Sequence, residues 1–175
     1  MITTVKFAKT KLNAIIPTKR LEDAGYDVYP CFDEDYIIIK PHTTVIIPTG
    51  IASACDTDYC FVLHERSSTG TKGMAQRCGI IDSGYRGEWG VPITNTNYIP
   101  IVICKKEFIT TFNDFASILL LPYGEANYIL YPYEKAICQA LVLPVPEVEI
   151  EEYTYEELKA IPSERGTGRL GSSGK

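Results

Sequence analysis

At 175 residues and 45% hydrophobic side chains, the chain is long enough to bury one ordinary core without disulfide or metal staples. A formal net charge of −5 excludes the broad basic face of a nucleic-acid-binding domain, and no apolar run reaches the length of about 18 residues that a membrane-spanning helix needs. The six cysteines are scattered rather than grouped in CxxC pairs, and the first residues lack the apolar stretch of a signal peptide, so the expectation is a cytoplasmic chain with reduced thiols and neither nucleic-acid nor membrane partners.

Short β-branched runs follow one another along the chain: 3–7, 36–41, 43–52, 59–65, 79–82, 87–95, 100–104 and 136–145. Gly, Pro, Asn and Asp lie between them, which is the pattern of a sandwich or barrel. The predicted fold class is all-β, jelly-roll-like. Helical signals are confined to Thr111–Leu121, opening at Asn113-Asp114, and to Thr154–Ala160.

Charge is unevenly placed. Six glutamates crowd into 147–157, whereas the Gly-rich tail beyond Pro162 carries Arg165, Arg169 and Lys175 against Glu164. A cationic tail with almost nothing apolar to bury cannot offset its ordering entropy at home, and its charge suits a small polyanion such as a triphosphate.

The segment Gly79 to Asn95 reads as a strand, a turn at Ser83-Gly84 and a returning strand, which brings Asp82 and Tyr85 close together at a hairpin mouth. A carboxylate there can orient or deprotonate water, and a tyrosine beside it can pack on a ring or sugar. Asp also closes Asx-turns, so the segment by itself leaves catalysis and turn-making both open.

Five segments in order, namely Ala24-Gly25-Tyr26-Asp27, Arg66-Ser67-Ser68, Gly79 to Asn95, Ala136 to Val142 and Arg165 to Gly174, resemble the five motifs of the trimeric dUTPases. They span nearly the whole chain. The resemblance implies a distorted jelly roll assembled as a homotrimer with subunit-spanning active sites that hydrolyse dUTP to dUMP and pyrophosphate. It implies two parts: a β-domain over 1–162, and a tail over 163–175 that completes a site in a neighbouring subunit.

By the same resemblance, Asp82 activates the attacking water, and Tyr85 packs under the deoxyribose. Gly79 and Ile81 present backbone groups to uracil. Arg66, Ser67, Ser68 and Gln139 contact phosphates, and Asp27 holds the cofactor Mg²⁺ through water, a sparse ligand set that suits this ion. In the tail, Arg165 clamps the γ-phosphate, Leu170 covers the base, and Gly171 with Ser172 wraps the phosphate chain. Two positions depart from the family pattern: Ser68 stands where Gly is usual, and Leu170 where Phe is usual, without the flat π-face of an aromatic ring.

The chain is also longer than the compact family pattern, with an insertion at about 98–133 that resembles the enlarged dUTPases of some bacteriophages. That span holds eight of the 19 aromatic residues. It is expected either to pack them on the body as a flap or to expose them to a protein partner. Two other readings stand beside this one: a related dCTP deaminase-like enzyme, and a regulatory protein on the same fold.

Overall fold

The computed structural model describes residues 4–113 and 127–168. The chain divides into two units, Met1–Val145 and Pro146–Lys175, so its contacts part well before the expected boundary at 162/163.

The first unit is all-β, with twelve strands among the described residues. They are β1 (Lys6–Lys9), β2 (Tyr26–Val28), β3 (Tyr36–Ile39), β4 (Thr44–Pro48), β5 (Ile51–Ala54), β6 (Tyr59–His64), β7 (Met74–Gln76), β8 (Ile80–Ile81), β9 (Gly90–Asn95), β10 (Ile101–Cys104), β11 (Ile129–Pro132) and β12 (Cys138–Pro144). Four small sheets result, in the orders β1-β5, β11-β10-β3, β2-β12-β6-β8 and β4-β9-β7.

Two local expectations are corrected. The run 43–52 is two strands, not one, because Gly50 takes a left-handed φ of +66° and sends β4 and β5 into different sheets. Gly is needed there, since a Cβ would also strike Cys31 and Ala14. The arms of the Gly79–Asn95 segment likewise do not pair with one another: β8 joins β6, whereas β9 lies between β4 and β7. The segment is a connection between two sheets.

The core takes the inward side of these strands, including Ile39, Ile47, Phe61, Leu63, Val91, Ile93, Ile101 and Ile103. At its centre Trp89 is fully buried, with ring centroids 4.9 Å from Phe61 and 5.5 Å from Phe7. Its indole N–H donates to Ser53 Oγ at 3.1 Å, satisfying the polar handle that burial would otherwise strand. All six cysteines are free thiols. Burial pushes the Cys138 thiol up to about 12, which makes it an inert core residue, whereas Cys78 is exposed.

Both ends of the 98–133 span are core strands: β10 is wholly buried and pairs parallel with β11. Phe112 stacks edge-on against Tyr36 and Tyr128 at 4.9 and 5.3 Å, and Phe108 packs on the same cluster. Tyr131 and Tyr133 belong to the main core. Tyr98, in contrast, is 86% exposed. Phe115, Tyr123 and most of the helix expected over 111–121 lie outside the described residues.

In the second unit the expected helix appears as Tyr155–Ala160, here α2. Thr154 Oγ1 accepts from Glu157 N–H, and the Glu157 carboxylate accepts from Thr154 N–H at 2.8 Å, a reciprocal capping box. Ser163 Oγ accepts from the amides of Arg165 and Gly166 and closes the turn that follows.

Candidate active site

The strand register brings the first, second and fourth motifs together. On β12, Gln139 pairs with Asp27 of β2 on one side and with His64 of β6 on the other, so the end of β6 delivers Glu65 and Arg66 beside Asp27. Arg66 grips both Asp27 oxygens, Nε to Oδ1 at 2.8 Å and Nη2 to Oδ2 at 3.2 Å. With each partner about one-third exposed, this fork contributes more to geometry than to stability.

Arg66 is held from behind as well. It precedes α1 (Ser67–Gly70), a single turn fastened by Thr69, whose fully buried hydroxyl accepts from Arg66 N–H at 3.0 Å and donates to Arg66 O at 2.9 Å. Gln139 Nε2 donates to Glu65 O at 2.8 Å, which fixes the amide and leaves its second N–H for the cleft. Asp27, Arg66, Ser67, Ser68 and Gln139 thereby line one open cleft of about 680 Å³.

The third motif forms a second, smaller cleft of about 220 Å³, lined by Ile80, Ile81, Asp82, Tyr85, Glu88 and Gly90 among others. The turn closes through Tyr85 N–H to Asp82 O at 3.1 Å, and both residues line the cleft. Tyr85 Oη donates to Glu88 O at 3.1 Å and leaves its ring nearly half exposed. Arg86 ties the loop down through Ser83 O and Ser53 O, and Glu88 is anchored by Thr10 Oγ1 and Gly50 N–H. Gly79 lies against β6, where Leu63 N–H donates to Gly79 O at 2.7 Å and a Cβ would collide with Leu63 O.

The two clefts share no lining residue. Arg165 belongs to the second unit, where its Nε donates to Gly168 O at 3.4 Å, and Leu170, Gly171 and Ser172 lie outside the described residues.

Three supporting residues escaped the sequence reading. Thr69 stands three positions after Arg66, a capping spacing that is visible in retrospect. Glu65 accepts from Gln76 N–H at 3.1 Å and so holds the β6 end against β7. Tyr131 is buried beneath Arg66 and donates to Ala136 O at 2.6 Å; burial pushes its phenol up, while the neighbouring guanidinium pulls the other way. Nothing local to Tyr131 announces that role.

An all-β, jelly-roll-like chain with residues of its first four motifs gathered into two clefts defines the class. The dUTPase family model matches residues 12–112. The chain is 30% identical to the deoxyuridine 5'-triphosphate nucleotidohydrolase of Polynucleobacter necessarius, over 98% of this chain and 96% of that protein. Among solved structures it resembles the dUTPase of Staphylococcus bacteriophage 80alpha with dUPNHPP, with a TM-score of 0.67 and 23% identity, covering 98% of this chain and 99% of that one. It also resembles a variant dUTPase from phage phi11 of S. aureus in which a structural Mg(II) ion is coordinated, with a TM-score of 0.63 and 21% identity over 87% and 99% of the two chains. The chain belongs to the dUTPase family.

Proposed function

We propose that the chain is a dUTP diphosphatase, hydrolysing dUTP to dUMP and pyrophosphate, and that Asp82 is its base. The observation that carries this reading is the pairing of Asp82 with Tyr85 across one closed turn, at a cleft that Ile80 and Ile81 of β8 also line. A water held by the Asp82 carboxylate attacks the α-phosphorus and gives its proton to that carboxylate. The bond from the α-phosphorus to its bridging oxygen breaks, and pyrophosphate leaves.

Uracil lies against the backbone of Gly79 to Ile81, whose fixed donors and acceptors reject cytosine because its exocyclic amine reverses the pattern. The Tyr85 ring fills the space that a ribose 2′-hydroxyl needs. Phosphates fall to Arg66, Ser67, Ser68 and Gln139, whose side chains converge on the larger cleft. The match to the dUTPase family argues against the deaminase reading.

Asp27 fits Mg²⁺ held through water. Both its oxygens already meet Arg66, so direct ligation would break the fork, yet a carboxylate has about four acceptor positions and the fork uses two. Bound there, the ion would neutralise charge on the phosphates.

The separation of the clefts favours a homotrimer in which each site takes its Asp82–Tyr85 turn from one subunit and its phosphate cleft from another, completed by the 163–175 tail of a neighbour. Exposed Leu12, Leu21, Ile46 and Ile80 supply apolar surface for such contacts. For a separate protein partner at 98–133, the described residues offer chiefly Tyr98, since Phe108, Phe112, Tyr128, Tyr131 and Tyr133 are engaged in packing.

The test is pyrophosphate release from dUTP with Mg²⁺, set against Asp82→Asn. The variant is expected to keep its assembly and melting midpoint while kcat falls by roughly 10² to 10⁴. Turnover within a few-fold of the parent would remove Asp82 as the base.

A further inference from the structure

The phosphate cleft has a wall that none of the motif residues accounts for: the loop before β2, which contributes Lys19, Arg20 and Asp23. Its charges can be paired off. Arg66 is taken by Asp27 at 2.8 Å, and Arg20 is taken by Asp23, Nε to Oδ2 and Nη2 to Oδ1 both at 2.9 Å. Lys19 stands apart. Its ammonium donates to the backbone oxygens of Arg20 and Leu21 at 3.3 Å and lies 5.5 Å from the centre of the Tyr26 ring, contacts that place the charge without cancelling it.

An ammonium has three donors, and two carbonyls leave one to spare. The loop is also rigidly tied to the site, because Thr18 O accepts from Asp27 N–H at 2.8 Å. Among the described residues that line the cleft, three cations, Lys19, Arg20 and Arg66, stand against two carboxylates, Asp23 and Asp27, and both carboxylates are hydrogen-bonded to a guanidinium, so Lys19 adds a positive charge beside the Asp27–Arg66 fork.

We propose that Lys19 is a substrate-binding residue that reads the charge of the phosphate chain, holding the triphosphate and releasing the monophosphate product. This rests on the dUTP-hydrolysing reading of the same site. The interaction is Coulombic and partly screened, so it acts on KM and falls with salt.

The experiment compares the full-length protein with Lys19→Gln and Lys19→Arg. Steady-state kinetics on dUTP are measured at low and high ionic strength, together with binding of dUMP, of a non-hydrolysable dUTP analogue and of inorganic tripolyphosphate. Lys19→Gln is expected to raise KM for dUTP roughly 3- to 10-fold with kcat within about 2-fold, to weaken the analogue and tripolyphosphate alike, to spare dUMP, and to flatten the salt dependence; Lys19→Arg should restore most of the loss. Equal weakening of dUMP and the triphosphate analogue would mark Lys19 as a loop support and overturn the proposal. Unchanged analogue and tripolyphosphate affinities would overturn it too. Absence of pyrophosphate release from the unsubstituted protein would instead defeat the hydrolase reading, while tripolyphosphate binding still tests Lys19.

Discussion

Gly25 sits where the chain has no room for a side chain: a Cβ there would overlap the Gln139 amide. The glycine of the first motif thus serves the glutamine of the fourth, 114 positions away, by letting β2 and β12 close up. Such a dependence is invisible along the sequence, although the motif itself is legible. The same holds for Tyr131, which lies behind Arg66 and carries no signal of its own. Tyr85 is the opposite case, since its place beside Asp82 follows from a turn four residues long. If its ring excludes the ribose 2′-hydroxyl, Tyr85→Ala should narrow the dUTP-to-UTP ratio in kcat/KM by roughly tenfold or more, while leaving the uracil-to-cytosine preference intact. An unchanged sugar preference in paired kinetics would take that role away from Tyr85.

At the scale of elements, the β-branched runs were readable because alternation along a strand shows one face buried, as in β9 with its strict inward Val91 and Ile93. What could not be read was partnership. Residues 43–52 look continuous until Gly50 turns the backbone, and β8 and β9 look like a hairpin until each finds a different neighbour. The short strands β2, β7 and β11 escape that reading because each holds at most one β-branched residue, whereas strands as short, such as β8 and β10, are rich in them. The second unit was read better: α2 carries its own capping box, a purely local device. Beyond it the tail has almost nothing apolar to contribute to a core. Deleting 163–175 is therefore expected to cost about two orders of magnitude or more in kcat/KM, with the melting midpoint moved by less than about 2 °C. A large cooperative drop in a thermal melt would show the tail to be structural.

At the scale of the whole molecule, composition and strand spacing were enough for the all-β class, and motif order was enough for the family. How the motifs divide in space was not, because a linear order of five segments does not say which of them meet. The single chain gathers Asp27, Arg66 and Gln139 in one place and Asp82 with Tyr85 in another, with no residue common to both.

That division implies a form of genetic arithmetic. On the proposed trimer, a chain crippled at Asp82 still offers a sound phosphate cleft, and a chain crippled at Arg66 still offers a sound Asp82–Tyr85 turn, so each can repair what the other lacks. Unfolding equal amounts of Asp82→Asn and Arg66→Ala together and refolding them as a mixture should return about a quarter of the sites to full strength, since random assembly pairs one intact half with the other that often. Each variant refolded alone should stay inactive. A mixture as silent as its parents would mean that both halves of every site come from the same chain.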